Sequence, residues 1–571
     1  MPDIYQNYAG YRPPSVHISR VKEVTPQPAG VVRQVPLIIG QGPSIKSIEA
    51  VITKGEGDKD TLPSTIVMSI VAVGNRRNTE SYIKGTDYQL SGVNQIEWLS
   101  DGNAPPAGAT YYVYYKARPE ESQYELYRIP ISERALITTL YGDDLMEHET
   151  YLMSDMKTAT DTYASATTTY SVFTGEGGVS VTAGEKVGYC QVSVNETIYK
   201  RDIDYTINES QQLVFLDGDR PSEGAEFTVQ FKIATPTIET IPNPIALGAK
   251  IVLEEGAPEV FCLQVQPSGK DADYDSDTMP DPYGTRVSDW AAALNDHVQY
   301  ERDIHTIVPM THDATIFEEV ETRVLADSSV EEAKPRVIRL PIYLDYTDED
   351  KPSSPEVFDE MYEDFMEELN RHRMSRIVVP FPFSAYKTLS DGNEYLLSAE
   401  YIAAALAGQE AATPKQLSLN NHIISSFTRL GITKLTTLQL NKLAAAGATV
   451  LTQTRLSDPI TIRDWISTDR TDQQSEEPSI QNVYDYAWLA YLNAISPYLR
   501  DQVINASLIK NIRDTLVLES EKMGLSGLGL IDSAEVTTVA QDSSNKRRIY
   551  AKVRIYMQYP AKYFDIEVVT V

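Results

Sequence analysis

Two short segments contain residue types that bind phosphate or act as nucleophiles, and each lacks one residue that the chemistry requires. The segment "GQGPSIKS" at 40–47 follows an apolar run, as a phosphate-binding loop does. Ile45 stands where such a loop needs the glycine before Lys-Ser. The segment "GLSGLG" at 524–529 has Leu528 where a nucleophile elbow needs its second glycine. Neither segment predicts a nucleotide site or a catalytic serine.

The possible metal ligands also fit no known pattern. The segment "DADYDSDTMPDPYG" at 271–284 has aspartates at alternate positions, like a calcium loop. Ser276 replaces the turn glycine of such a loop, and Pro282 replaces its bidentate glutamate. Three histidines have spacings that match no standard zinc motif: His297, His305 and His312. We therefore expect no metal, no cofactor and no enzymatic activity.

Net charge and cysteine content exclude several classes of partner. The chain has 571 residues and a formal net charge of −31, which disfavours contact with nucleic-acid phosphates or an anionic membrane. Only Cys190 and Cys262 are present, so a reducing cytoplasm is the expected compartment. No segment reads as a cleaved signal, and none reaches the ~20 apolar residues of a membrane span. We expect no nucleic-acid partner and no membrane partner.

One sequence pattern occurs twice, at 87–115 and at 204–231. In both copies an Asp-Tyr pair precedes an aromatic-Leu pair, an Asp-Gly pair and a Pro-x-x-Gly turn, and an alternating strand follows. Alternating β-branched and aromatic residues between such turns are typical of antiparallel hairpins. The pattern predicts two related β-sandwich-like modules, at 45–117 and 167–234.

Outside these modules, strand patterns alternate with helix patterns. The segments at 243–265 and 336–383 each combine helical periodicity with a short apolar run that is typical of a buried strand. This alternation predicts an α/β core. Further helices are expected near 479–495 and 499–523. The chain then ends on alternating strands, and an end strand can complete the sheet of a neighbouring molecule.

Five segments outside the modules occur in an order that is typical of one protein family. They are "VPLIIGQGPS" (35–44), "NPIALGAKIVLEEGAPEVFCLQV" (243–265), "SAEYIAAALAGQEA" (398–411), "GATVLTQTRLSDPITIRDWISTD" (447–469) and "YAKVRIYMQYPAKYFDIEVV" (550–569). In this order they resemble the contractile tail sheath protein of myophages and related injection machines. The start "YRPPSV" departs from the usual sheath start, which leaves the register of the N-terminal arm open.

The resemblance implies a fold, a function and a set of partners. The implied fold is an α+β or α/β multidomain protein whose α/β core is assembled from both chain ends, with the two modules inserted and the terminal arms extended. The implied subunit polymerises as hexameric discs stacked helically around an inner tube and contracts to drive the tube through the host envelope. Its implied partners are other copies of itself, the tail tube protein, and the baseplate and tail terminator proteins. The implied location is a virion tail that assembles in the host bacterial cytoplasm.

The resemblance also implies which residues make the contacts. Lys510 and Arg513, on the helix near 499–523, are implied to face the inner tube. The residues implied to link neighbouring subunits are Val16, Ile18, Val21, Ile549, Ala551, Val553, Ile555, Met557, Ile566 and Val568. The implied divisions of the chain are an N-terminal linker arm (1–30), a core strand (31–44), the first module (45–117), a core α/β segment (118–166), the second module (167–234), the α/β core with the tube-facing helices (235–545) and the C-terminal exchange strands (546–571).

Two other functions stay open on the sequence alone. In a baseplate or surface adhesin, the duplicated modules would bind host glycans and the chain ends would be incidental. In a tail-associated hydrolase, a pair of acidic residues would cleave cell-wall polymer, although no spacing in the chain identifies such a pair.

Overall fold

The computed structural model describes residues 35–559 apart from a set of gaps. The gaps are 43–45, 65–66, 78–79, 92–93, 118–123, 154–156, 168, 176–178, 181–185, 195–196, 200–204, 208–211, 217–219, 267–286, 330–331, 500–502 and 526. Five of the implied linking residues therefore lie outside the described residues: Val16, Ile18, Val21, Ile566 and Val568. The segment that resembles a calcium loop, 271–284, lies entirely outside them as well.

A nine-stranded mixed sheet forms the centre of the described chain. Its strands are β1 (Val35–Gly40), β8 (Tyr127–Pro130), β18 (Glu259–Gln264), β19 (Ile304–Met310), β20 (Val337–Arg339), β21 (Ile377–Phe381), β24 (Ile423–Ile424), β26 (Ala448–Thr452) and β27 (Ile460–Asp464). Their order across the sheet is β24-β27-β26-β21-β20-β19-β1-β18-β8. The six strands from β26 to β18 are parallel, and the outer strands β8, β27 and β24 are antiparallel to their neighbours.

The central strands are buried on both faces. Every residue of β1, β18 and β19 is buried, as expected for parallel strands that are covered by helices on both sides. Leu37 and Ile39 pack into one hydrophobic cluster, and Ile38 between them packs into the other. The prediction of an α/β core is confirmed, because a large mixed sheet is combined with several small sheets.

Helices cover both faces of this sheet. One cluster contains residues of α1 (Ala135–Tyr141), α2 (Pro244–Glu254) and α6 (Ala399–Ala412). The other contains residues of α3 (Val287–Asp296), α4 (Ala314–Asp327), α5 (Pro355–Arg371) and α7 (Thr437–Ala446). A small sheet, β23-β22-β25, adjoins the first cluster. Its strands are β22 (Ser384–Thr388), β23 (Glu394–Ser398) and β25 (Arg429–Leu430).

The first module consists of two three-stranded sheets around a shared core. Its strands are β2 (Lys46–Thr53), β3 (Lys59–Thr61), β4 (Val67–Gly74), β5 (Tyr88–Ser91), β6 (Gln95–Trp98) and β7 (Thr110–Ala117). They pair as β2-β7-β4 and β3-β6-β5. The carboxylate of Asp60 is buried beside this core, where Trp98 Nε1 and Tyr111 Oη each donate a hydrogen bond of 2.8 Å to it.

The second module repeats the main pairings of the first. Its strands are β9 (Leu145–Met153), β10 (Lys157–Thr162), β11 (Thr174–Gly175), β12 (Val179–Ser180), β13 (Lys186–Val194), β14 (Thr197–Tyr199), β15 (Tyr205–Ile207), β16 (Leu213–Phe215) and β17 (Glu226–Pro242). The order β10-β17-β13 corresponds to β2-β7-β4, and the pair β15-β16 corresponds to β5-β6. Tyr205 pairs with Phe215 in the same way that Tyr88 pairs with Trp98.

The strand pairing of the second module extends past the predicted bounds of 167–234. β10 lies before residue 167 and pairs with β17. β17 itself continues to Pro242, where its second half pairs with β9. The sequence missed β10 because "KTATDT" has no alternating apolar side chains. The predicted core segment 118–166 therefore contributes β8 and α1 to the core and two strands to the module.

The last part of the described chain is a helical hairpin that carries a two-stranded sheet. It contains α8 (Gln473–Glu476), α9 (Pro478–Ile495), α10 (Ala506–Met523), β28 (Ser533–Gln541) and β29 (Ile549–Tyr556). We call the part from α9 to β29 the C-terminal unit. It has its own hydrophobic cluster, to which α9 contributes Val483 and Tyr491 and α10 contributes Ile512 and Leu516.

Candidate functional site

The hairpin β28-β29 presents two open edges among the described residues. The two strands pair only with each other, from Ser533 opposite Tyr556 to Gln541 opposite Ile549. An isolated two-stranded hairpin is marginally stable in water, and here α10 packs against it. Backbone donors and acceptors along an unpaired edge form a template for a further strand. Either edge of the hairpin therefore has backbone groups to which a further strand could be added.

The described linking residues lie on β29 and just beyond it. Ile549, Ala551, Val553 and Ile555 are half-buried and pack against the cluster of the C-terminal unit, and Met557 is buried within that cluster. These side chains hold β29 against the hydrophobic cluster of the C-terminal unit. A linkage to a neighbour through β29 would therefore use backbone groups at the strand edge.

The two basic residues implied to face a tube lie on the exposed side of α10. The Lys510 side chain is exposed. Arg513 is also exposed, and its guanidinium donates a hydrogen bond of 3.2 Å to the carbonyl oxygen of Val536 on β28. Further along the same helix, Val517 and Leu518 are 38% and 53% exposed. The exposed side chains of α10 are thus basic, apolar and also acidic, since Asp514 and Glu521 are exposed as well.

A buried ionic cluster connects α9 to the central sheet. Glu410 on α6 lies at its centre and forms a salt bridge with Arg339 of β20. One Glu410 oxygen accepts a hydrogen bond of 2.9 Å from Asn482 of α9, and the other accepts one of 3.1 Å from Thr306 of β19. Three elements of the core are therefore joined to α9 through one carboxylate.

The second carboxylate of the ionic cluster belongs to α9 itself. Asp485 accepts two hydrogen bonds, of 2.6 and 2.8 Å, from the guanidinium of Arg376, which precedes β21. Gln481 donates a third hydrogen bond of 2.7 Å from the preceding turn of α9. The imidazole Nε2 of His305 lies 3.8 Å from the other Asp485 oxygen. Asp485 therefore joins α9 to residues at the beginning of β19 and of β21.

The charges in this cluster change the pKa values of its members. Burial would raise the pKa of Asp485, but Arg376 and His305 outweigh it and lower the pKa to about 2. Burial would also raise the pKa of Glu410, which Arg339 nevertheless holds below its usual value. Burial lowers the pKa of Lys415 to about 7 and that of His305 to about 4. Both carboxylates are therefore ionised at neutral pH, and Lys415 titrates there.

The sequence patterns did not identify this ionic cluster. The two carboxylates stand alone in otherwise apolar or alanine-rich segments, Glu410 in "AALAGQEAA" and Asp485 in "NVYDYAW". The available signal was a charged residue within an apolar helical segment. Such a residue is expected to have a charged or hydrogen-bonding partner, because buried charges are usually paired. The partners are distant in sequence, so the pairing was not predictable from spacing.

The segments first considered for ligand binding have structural surroundings that do not suit that chemistry. A strand, β2, begins at Lys46, whereas a phosphate-binding loop leads into a helix. His305 is buried in β19, and within the described residues no three His, Cys, Asp or Glu side chains are arranged to hold a metal ion.

None of the helices described has the length and apolar character needed to cross a membrane.

Comparison with known proteins gives one partial match to a sequence family. Residues 21–129 match a domain of unknown function, DUF4815, which here covers β1, the first module and β8. The match covers less than half of the chain, so it does not establish the family of the whole protein. No curated protein matches the sequence.

Solved structures with a related arrangement include several sheath proteins. The contracted helical sheath of the anti-feeding prophage is 12% identical, with a TM-score of 0.42, over 58% of this chain and 83% of that one. The sheath tail protein of Desulfitobacterium hafniense is 11% identical, with a TM-score of 0.36, over 96% and 97% of the two chains. A sheath tail protein of Listeria innocua is 10% identical, with a TM-score of 0.35, over 89% and 90%.

Proposed function

We propose that this chain is a structural subunit of a contractile tail sheath. In this proposal its copies polymerise around an inner tube and are linked by exchanged β-strands. The hairpin β28-β29 is the observation that carries the proposal, because its edges are open in the described chain and its side chains are anchored on α10. The order of segments along the chain, which resembles that of sheath proteins, is the second support.

Strand addition would give a link strong enough to persist while rigid cores move. β29 has eight residues, and a further antiparallel strand of that length forms about eight backbone hydrogen bonds. At roughly 0.5 to 1.5 kcal/mol net each, the link contributes on the order of 4 to 12 kcal/mol before the cost of ordering the added strand. These bonds do not depend on how the cores contact each other, so the link can act as a hinge during contraction.

Engineered disulfides test this proposal directly. Tyr550 on β29 is 43% exposed, and both natural cysteines are buried, so the Tyr550→Cys variant adds a single accessible thiol to the described chain. We combine it with single cysteines at positions 14–24 and expect a ladder of disulfide-linked multimers at alternate positions. Leu438→Cys on α7, 79% exposed, replaces Tyr550→Cys in the control. The proposal would be contradicted if none of the positions gave disulfide-linked multimers, or if the Leu438→Cys control gave as many as Tyr550→Cys.

One observation favours a second candidate, an adhesin whose first module binds glycans. The outer face of the sheet β2-β7-β4 carries Val51 and Val71, 58% and 54% exposed, beside the half-buried Tyr112 and Tyr114. The positions in the second module that correspond to the two tyrosines are polar: Thr228 and Gln230. Aromatic side chains at the surface of a sheet are suited to stacking on sugar rings, so in this second candidate the first module would bind the glycan and the second would not.

A glycan array probed with the full chain tests this second candidate. We expect a binding adhesin to lose binding when Tyr112→Thr and Tyr114→Gln install the residues of the second module. Thr228→Ala in the second module is the matched control. If the unmodified chain binds no glycan on the array, the adhesin candidate fails.

A further inference from the structure

β29 has two different faces beside the edge that is open in the described chain. Alternate residues from Ile549 to Ile555 pack against the hydrophobic cluster of the C-terminal unit. The residues between them lie on the opposite face, where Tyr550 is 43% exposed and Lys552 and Arg554 are half-buried. A strand that pairs with this edge must therefore be apolar on one face and must suit two cations on the other.

The end of the same chain has a sequence that meets both requirements. The segment "YFDIEVVT" at 563–570 alternates between two kinds of residue, as a strand with one buried and one solvated face does. Its apolar positions include Phe564, Ile566 and Val568, and the acidic positions between them are Asp565 and Glu567. The chain therefore carries a candidate occupant for its own open edge.

One antiparallel register matches the two faces at once. The register that places Glu567 opposite Lys552 also places Asp565 opposite Arg554, because antiparallel partners run in opposite directions. Arg554 already donates a hydrogen bond of 3.4 Å to Glu535 on the β28 side, so Asp565 would reach it from the other side. The apolar pairs of this register are Ile555 with Phe564, Val553 with Ile566 and Ala551 with Val568. Opposite charges and apolar side chains directly across a strand pair stabilise it.

The connection between the two segments is long enough for the chain to return to its own β29. The connection consists of residues 557–562. Met557 is buried in the cluster of the C-terminal unit and Tyr559 packs against it, so the chain is held beside β29 up to this point. Pro560 follows and suits the second position of a turn. Paired strands lie only about 4.8 Å apart, so the connection can span this distance without strain.

We propose that in a free subunit residues 563–570 fold back on β29 and cover the edge that the arm of a neighbour uses in the sheath. A short tether gives an effective concentration in the millimolar range, so at roughly 1 µM protein the chain's own segment is favoured about a thousandfold over that of another copy. In the sheath the neighbour's arm takes this place, and the released segment passes to another neighbour. The contact itself is a property of the free subunit, and only its role in assembly rests on the proposed function.

Disulfide formation within one chain tests this contact. Tyr550→Cys is combined with single cysteines at positions 566–571 in the dispersed full chain, whose two natural cysteines are buried. In the proposed register Val569→Cys lies opposite Tyr550→Cys, so we expect a monomeric disulfide to form fastest there. Val568→Cys and Thr570→Cys point to the other face and are expected to form little. The rate is expected to stay the same on dilution, because both thiols belong to one chain.

A charge reversal tests the register. Lys552→Glu places two carboxylates opposite each other and is expected to slow formation of the disulfide between Tyr550→Cys and Val569→Cys by roughly two- to fivefold. Adding Glu567→Lys to the same chain restores opposite charges and is expected to restore the rate. Lys434→Glu, at a lysine that is 68% exposed outside the C-terminal unit, makes the same charge change and is the matched control.

Hydrogen exchange gives a readout that needs no substitution. In the free full chain the backbone N–H groups at the outer edge of β29 are paired, and a chain that ends at Tyr559 lacks their partner. We expect peptides from β29 to exchange about tenfold faster in the shortened chain. Peptides from α2, which is buried against the central sheet, are expected to exchange equally in both chains.

Four outcomes would overturn the proposed contact. They are no monomeric disulfide at any of the six positions, equal formation at all six, disulfides between chains only, and identical exchange of β29 in the full and shortened chains. A chain that forms cylinders but gives no monomeric disulfide would overturn this contact and leave the sheath proposal standing. A monomeric disulfide in a chain that never assembles would support the contact and contradict the sheath.

Discussion

At the scale of single residues, the structure contains buried salt bridges that join residues of different elements. Arg339, 1% exposed, forms a salt bridge with Glu410, and its guanidinium lies 5.1 Å from the ring centroid of Trp465. A buried pair of this kind adds little net stability over an apolar substitute, but removing one partner leaves the other charge unpaired. We infer that these residues determine how elements join more than how stable the fold is.

Glu410→Gln is expected to lower the free energy of unfolding by roughly 3 kcal/mol or more, because Arg339 would keep a buried charge without its carboxylate. Urea unfolding measures the change. Glu363→Gln on the exposed face of α5 removes the same charge from a solvated site and is expected to change stability by less than about 0.5 kcal/mol. Equal effects from the two variants would show that the buried pair is not formed.

At the scale of elements, the duplicated modules use the same turn before the strand at the centre of their corresponding sheets, β7 in the first module and β17 in the second. Gly108 and Gly224 have φ angles of 81° and 80°. The backbone N–H of Gly108 donates to the carbonyl of Lys54, and that of Gly224 donates to the carbonyl of Tyr163, each at 2.9 Å. The shared Pro-x-x-Gly sequence therefore encodes one backbone conformation in both copies.

Gly108→Ala and Gly224→Ala are expected to destabilise their own modules by a similar amount, about 1 kcal/mol, since both place a side chain in the left-handed region. No atom lies within 4 Å of a Cβ added at either glycine, so the effect is conformational and not steric. Hydrogen exchange of peptides from each module measures it. A much larger effect in one module would contradict the equivalence of the two turns.

The sequence predicted the elements whose patterns are local and missed those that depend on distant partners. The apolar runs of β1 and β18 and the helix α2 between the second module and β18 were predictable because burial on both faces leaves a continuous apolar pattern. β10 was missed because its side chains are mostly exposed threonines. The residues of the buried ionic cluster were missed because Glu410 and Asp485 meet partners from other elements only in the folded chain.

At the scale of the whole molecule, the proposed sheath requires a strongly acidic chain to assemble with copies of itself. The net charge of −31 makes subunits repel one another, whereas strand exchange adds backbone hydrogen bonds that are insensitive to charge. Screening therefore decides whether the links can form.

Light scattering of the purified chain is expected to rise as salt increases from about 0.01 M to about 0.15 M. The Debye length falls from roughly 30 Å to roughly 8 Å over this range, and subunit repulsion weakens with it. Sucrose at matched osmolality controls for effects of the solute that do not involve charge. Equal scattering at both ionic strengths would count against repulsion as the barrier to assembly.

The central claim, a sheath linked by exchanged terminal strands, is tested most directly by negative-stain electron microscopy. The full chain is compared with a version that ends at Tyr559, which keeps the whole described hairpin and its buried Met557 and removes residues 560–571, which the sequence predicts to contain a last strand. We predict hollow striated cylinders from the full chain and dispersed particles from the shortened one. Cylinders from both would contradict linkage through the C-terminal strand, and dispersed particles from the full chain across salt and concentration would contradict the sheath itself.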